Sequence, residues 1–115
     1  MQYMLMLYLD ESGWTTMTPS ERQQGVAAYT AFAEALTKAG AMRGSGRLQH
    51  SPSATRVTNV GGKARVMDGP YADTKEQLGG YFLIDVPNLD DAIKWAARCP
   101  AADHGTVEVR PLWVM

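Results

Sequence analysis

Gln2-Tyr3-Met4-Leu5-Met6-Leu7-Tyr8-Leu9 opens the chain with a nearly unbroken apolar run, closed by Asp10-Glu11-Ser12-Gly13. Eight residues are too few to span a bilayer, and no basic segment or small-residue cleavage site accompanies them, so the run predicts a buried strand. A helix start follows at Thr18-Pro19-Ser20-Glu21. Thr18 stands at the N-cap, Pro19 at the first helical position and Glu21 at the third, which is the pattern of a capping box. Val26, Tyr29, Phe32, Ala33 and Leu36 then recur at helical spacing, and Gly40 supplies the stop.

Farther along, Ala54 to Val60 and Lys63 to Met67 flank Gly61-Gly62, which predicts a β-hairpin. Gly80 to Val86 reads as a further strand. Pro87-Asn88-Leu89-Asp90-Asp91 starts a second helix, with Asn88 as cap and acids in the first turn. Ala92, Ile93, Trp95, Ala96 and Ala97 form its packing face, Cys99-Pro100 ends it, and Thr106 to Trp113 predicts a last strand. The resulting order, β-α-β-β-β-α-β, predicts an α+β, ferredoxin-like fold with two helices on one face of an antiparallel sheet. The other face is left open, and Tyr3, Tyr8, Tyr81, Phe82, Leu112 and Trp113 are expected to give it an apolar character that favours a homodimer packed sheet to sheet.

Composition narrows the class. With 115 residues, 45% hydrophobic and 20% charged, the chain fits one domain, 1–115, with its own core. A net charge of -1 with dispersed Lys and Arg argues against nucleic-acid binding. The single cysteine, Cys99, precludes an internal disulfide and fits a reducing cytoplasm. Two distant histidines and one cysteine offer no metal-ligand cluster, and neither a phosphate loop nor a dinucleotide fingerprint occurs, so no cofactor is expected.

The densest polar chemistry lies in residues 68–80, Asp-Gly-Pro-Tyr-Ala-Asp-Thr-Lys-Glu-Gln-Leu-Gly-Gly, where loops rather than strands carry function. Asp68 reads either as a turn-stabilising carboxylate or as a general base. Lys75 and Glu76 read either as a solvated pair or as ligand contacts, Lys75 being suited to a carboxylate or phosphate oxygen. His104, just before the last strand, is the candidate proton-transfer partner of Asp68, and an exposed loop histidine is the simpler alternative. His50, in a Ser-Pro-rich turn, reads as a surface residue. Arg47 and Arg110 can each bind an anion bidentately, although Arg110 shares a strand face with Glu108 and fits a salt bridge or dimer contact. Tyr71 and Tyr81 can line an apolar cavity with a hydroxyl handle.

The run Asp68 to Glu76, with Gly79-Gly80-Tyr81-Phe82 and Val107-Glu108-Val109-Arg110-Pro111, resembles the YCII-related, DGPF-domain family over nearly the whole chain. The resemblance implies a dimeric α+β barrel with a small-molecule cleft near each subunit's loop. Some members of that family look like enzymes with a His-Asp pair, but the histidine they place in the first helix has no counterpart in Ser20 to Leu36, and the residues of this chain together with the resemblance leave two roles open. In the first, acid-base chemistry is carried by Asp68 and His104, with Tyr71, Lys75, Glu76, Arg47 and Tyr81 around the ligand. In the second, the chain is a non-catalytic sensing or regulatory module linked to sigma-factor-dependent transcription.

Overall fold

The computed structural model describes residues 1–115. Its strands are β1 (Gln2–Leu9), β2 (Met42–Arg47), β3 (Thr55–Val60), β4 (Lys63–Asp68), β5 (Gln77–Asp85) and β6 (Thr106–Pro111). The helices are α1 (Ser12–Thr16), α2 (Pro19–Lys38), α3 (Leu89–Arg98) and α4 (Ala101–His104), with a 3-10 turn at Ser51–Ser53. Four strands form one antiparallel sheet in the order β2-β5-β1-β6, and β3 pairs only with β4. The α+β, ferredoxin-like class is thus as expected, with the β3–β4 hairpin inserted between the two strands of the β2–β5 edge.

Local chemistry sets the helix boundaries. The Glu21 N–H donates to Thr18 Oγ1 at 3.1 Å while the Thr18 N–H donates to Glu21 Oε1 at 3.0 Å, completing the capping box of α2. At its other end Gly40 takes φ +72°, a left-handed conformation that glycine adopts without strain. Asn88 Oδ1 accepts from the Asp91 N–H at 2.9 Å and caps α3. The core follows from strand alternation: Tyr3, Leu5 and Leu7 of β1, with Phe82 and Ile84 of β5, point to the helices and are buried. They meet Phe32 and Leu36 of α2 and Ala92 and Ala96 of α3, and the Phe32 ring sits edge-on to Phe82 at 5.0 Å. The first turns of α2 contribute little, since Val26 is half exposed. On α3, Ile93 and Ala97 are likewise exposed rather than packed.

Three expectations about the sheet are corrected. Its second strand is Met42–Arg47, a polar, glycine-bearing stretch without the β-branched run that marks a strand in sequence. One of its glycines serves a packing purpose: a Cβ on Gly46 would sit 2.8 Å from Cε1 of Tyr81, whose ring lies across that position. The predicted hairpin forms, with Val57 opposite Val66, but it is an arm outside the main sheet, and all of β4 is exposed. Tyr3 and Phe82 belong to the helix-covered face. The open face carries Met4, Met6, Tyr8, Tyr81 and Leu83 instead, flanked by Glu108 and Arg110 of β6.

The arm makes the molecule broad and thin, 47 × 44 × 19 Å, with a radius of gyration of 16.1 Å. A compact chain of this length has about 13 Å. No helix is long and apolar enough to cross a membrane.

Candidate functional site

The loop 69–76 leaves the arm through Gly69, whose φ of +94° turns the chain and whose N–H donates to the Ala54 carbonyl at 2.8 Å. That bond ties the two roots of the arm together. Thr74 Oγ1 then donates to the Glu76 carbonyl at 2.6 Å, and Gln77 Nε2 donates to the Thr74 carbonyl at 2.5 Å, holding the loop against the start of β5. Opposite it, Leu48 to Ala54 follows β2, with the Leu48 N–H bonded to the Gly79 carbonyl at 2.9 Å.

Between these segments and the ends of β1 and β6 lies an open concavity of about 1240 Å³. Tyr8, Leu48, Pro70, Tyr71 and Leu78 supply most of its apolar wall, and His50, Lys75, Glu76, Thr106 and Glu108 its polar groups. Thr106 Oγ1 donates to Glu76 Oε1 at 3.0 Å, so β6 fixes the loop carboxylate. Arg110 Nη2 lies 2.7 Å from Glu108 Oε2 as an ion pair without hydrogen-bond alignment, the strand-face pairing that their alternation predicts.

Behind the cleft, Glu11 joins three segments distant in sequence. Its backbone N–H donates to Gln77 Oε1 at 3.0 Å, and its carboxylate accepts from the Ser51 N–H at 2.9 Å and from the Ser51 hydroxyl. The Ser51 hydroxyl is the main reason that the Glu11 carboxyl titrates below its ordinary value, and the charge of nearby His50 adds to it. Asp10 is lowered chiefly by the hydrogen bond from the Ser12 hydroxyl, and Lys75 contributes through space.

A smaller hollow of about 570 Å³ adjoins the cleft and shares Leu48, Gln49, His50 and Ser53 with it. Arg47 forms its far wall, with the guanidinium 4.3 Å from the centre of the Trp14 ring. Trp14 is itself held by Arg22, whose Nε donates to the Trp14 carbonyl at 3.0 Å.

Of the residues proposed from sequence, Tyr71, Lys75 and Glu76 line the cleft, and Arg47 lines the adjoining hollow. Tyr81 lies over Gly46 on the open sheet face, outside both. Asp68, at the end of β4, is exposed; its carboxylate accepts no hydrogen bond, and only its backbone carbonyl is engaged, by Arg56 Nη2 at 3.4 Å. His104 ends the one-turn helix α4, exposed and away from the cleft lining. No hydrogen bond joins Asp68 to His104. The imidazole at the cleft is that of His50, which the turn composition of Ser51-Pro52-Ser53 disguised. Glu11, Ser51 and Thr106 were equally hidden, because their partners lie 30 to 66 residues away.

A match to the YCII-related domain spans residues 1–115, from the first strand through the cleft loop to the end of the chain. The chain belongs to the YCII-related domain family. This YCII-related chain is also similar to an uncharacterised protein of Rhizobium meliloti (strain 1021), 35% identical over 114 residues that cover 97% of this chain and 92% of the relative. Neither likeness brings a reaction or a ligand with it. In this YCII-related chain no group of three or more His, Cys, Asp or Glu side chains is arranged to hold a metal.

Proposed function

We propose that the YCII-related chain binds a small organic molecule in the cleft between the 69–76 loop and the 48–54 segment. The observation that carries this reading is the convergence of an apolar wall and a few polar groups on one concavity, the composition that ligand sites share. Tyr71, 94% exposed, is free to cover a bound molecule. Binding without turnover is favoured over acid-base catalysis, because the cleft's imidazole, His50, has no hydrogen bond to an acid, and Asp68 and His104 lie outside the lining. A ligand-sensing role tied to sigma-factor-dependent transcription is compatible with such a cleft. Thermal-shift screening of a metabolite library against the wild type and Tyr71→Ala tests the reading: ligands should raise the wild-type Tm and raise that of the variant less. A library that shifts neither protein overturns it.

The second reading is a homodimer of the α+β-barrel type. It is supported by the open sheet face, where Met4, Met6 and Leu83 have no covering element, and by the arm, where Val57, Val60 and Val66 are each more than half exposed. A two-stranded hairpin with no partner is marginal in water, so the arm gains from a second copy. Light scattering at micromolar concentration should give twice the chain mass, and Leu83→Glu should halve it. A wild-type monomer would refute the dimer.

A further inference from the structure

We infer that the two copies of the homodimer exchange the segments that follow β6, Trp113 of each copy covering the mouth of the other copy's cleft. This inference rests on the homodimer and names the residue that one copy lends to the other's site.

The cleft lacks a wall. Its volume of about 1240 Å³ exceeds the roughly 300–1,000 Å³ usual for ligand sites, and Leu48, Leu78 and Tyr71 on its lining are exposed. The chain also carries an apolar segment with no seat: in Leu112-Trp113-Val114-Met115, Trp113 and Val114 are each 90% exposed. That segment cannot close the cleft of its own chain. Tyr3 pairs with Pro111 and Tyr8 with Thr106, so the segment leaves the sheet at one end of β6 and the cleft lies at the other. The Leu112 N–H donates to the Gln2 carbonyl at 3.0 Å, which fixes Leu112 about 20 Å from Thr106. From there a single Cα step of about 3.8 Å and one side chain fall well short.

A second copy supplies the span. Tyr8–Thr106, Met6–Glu108 and Met4–Arg110 are direct cross-strand pairs, so these six side chains share the open face that runs from the cleft toward Leu112. A two-fold axis across the strands at the Met6–Glu108 level stacks two such faces with their strands opposed. It sets Arg110 of each copy at the level of the other's Thr106, where Glu76 is held, and carries each Trp113 past that level toward the 69–76 loop. Arg110 spends one nitrogen on Glu108 and its side chain stays 69% exposed, so donors remain for Glu76. Cation thus meets carboxylate twice in one symmetric interface. A two-fold axis along the strands does the reverse. Through Met4 and Leu83, Arg110 is level with Gly44, so that arrangement lays Arg110 of one copy beside Arg43 of the other, like against like. With the strands opposed, the indole shields Leu48, Leu78 and Tyr71 from water and buries its own ring.

Light scattering fixes the oligomeric state first, and a monomeric wild type overturns the homodimer and this inference together. A short bis-maleimide is then applied to Tyr71→Cys, Trp113→Cys and the double variant. Both positions are exposed, and the buried Cys99 does not compete in the native state. The double variant should run as a covalent dimer on a denaturing gel, while each single variant stays at the chain mass. A double variant that links only within one chain, a Trp113→Cys variant that links to itself, or no cross-link in a dimeric protein overturns the inference and leaves the homodimer standing. Sedimentation gives a second readout: Trp113→Ser should raise the dimer dissociation constant about ten-fold or more, with an unchanged circular dichroism spectrum. An unchanged constant overturns the seating of the indole on the other copy.

Discussion

Gly105→Ala should destabilise the protein by about 3 kcal/mol, although it adds only one methyl group. Gly105 sits where α4 hands the chain to β6, and a Cβ there would lie 2.1 Å from the Tyr8 carbonyl oxygen and 3.0 Å from Cδ2 of Leu9. Leu9 Cδ2 can rotate away, but the carbonyl belongs to β1, the second strand in from that edge and paired with both β5 and β6. Restoring an ordinary 3.4 Å contact needs about 1.3 Å of separation between the strands. That opens the Tyr8–Thr106 end of the ladder and threatens the 2.8 Å bond from the Gly105 N–H to the Ala101 carbonyl. One or two lost bonds at roughly 1 kcal/mol each, added to about 1–3 kcal/mol of overpacking, give the estimate. For a chain of this length the midpoint should fall by about 10 °C in a thermal melt followed by circular dichroism. Gly25→Ala is the control: Gly25 lies within α2 with nothing inside 4 Å of its would-be Cβ, so the same methyl should stabilise by about 0.5–1 kcal/mol. If both variants melt within about 2 °C of the wild type, the close approach of β6 to β1 is not a constraint, and the reasoning fails.

Leu36→Ala removes a fully buried side chain and should cost about 2–5 kcal/mol, read as a lower urea midpoint with an unchanged slope. Thr18→Ala removes one half of the capping box and should cost about 1 kcal/mol, measured the same way. Because the folded state depresses the Glu11 carboxyl, its contribution to stability should be complete above the unfolded value near 4.5 and decline as pH falls through the lower folded value. Carboxyl NMR titration should show the Glu11 midpoint rising in Ser51→Ala, and an unmoved midpoint would discount the hydroxyl as its cause. Burial raises the pKa of the Cys99 thiol, so a thiol reagent at neutral pH should label the native protein far more slowly than the urea-unfolded chain.

The elements that could be read from sequence are those whose determinants are local. Thr18-Pro19-Ser20-Glu21 and Asn88 carry their helix starts within four residues, and Gly61-Gly62 carries its turn. Strand β2 escaped because Gly46 answers to Tyr81, 35 residues away, and not to any periodicity of its own. The place of the hairpin outside the sheet escaped for the same reason: its pairing is local, but its exclusion follows from β2 occupying the edge beside β5. The site divides similarly. Tyr71, Lys75 and Glu76 were visible as a polar run, whereas His50 acquires meaning only when Glu11 draws Ser51 toward β1.

The arm is a lever whose fulcrum is the bond from the Gly69 N–H to the Ala54 carbonyl. Its two six-residue strands, at about 3.4 Å per residue, carry Gly61-Gly62 some 20 Å from that point, so a tilt of about 10° at the base swings the tip by roughly 3.5 Å. Ala54 and Pro70, which flank the fulcrum, are also part of the cleft wall. Any displacement of the arm's base would therefore move two residues of the cleft wall with it.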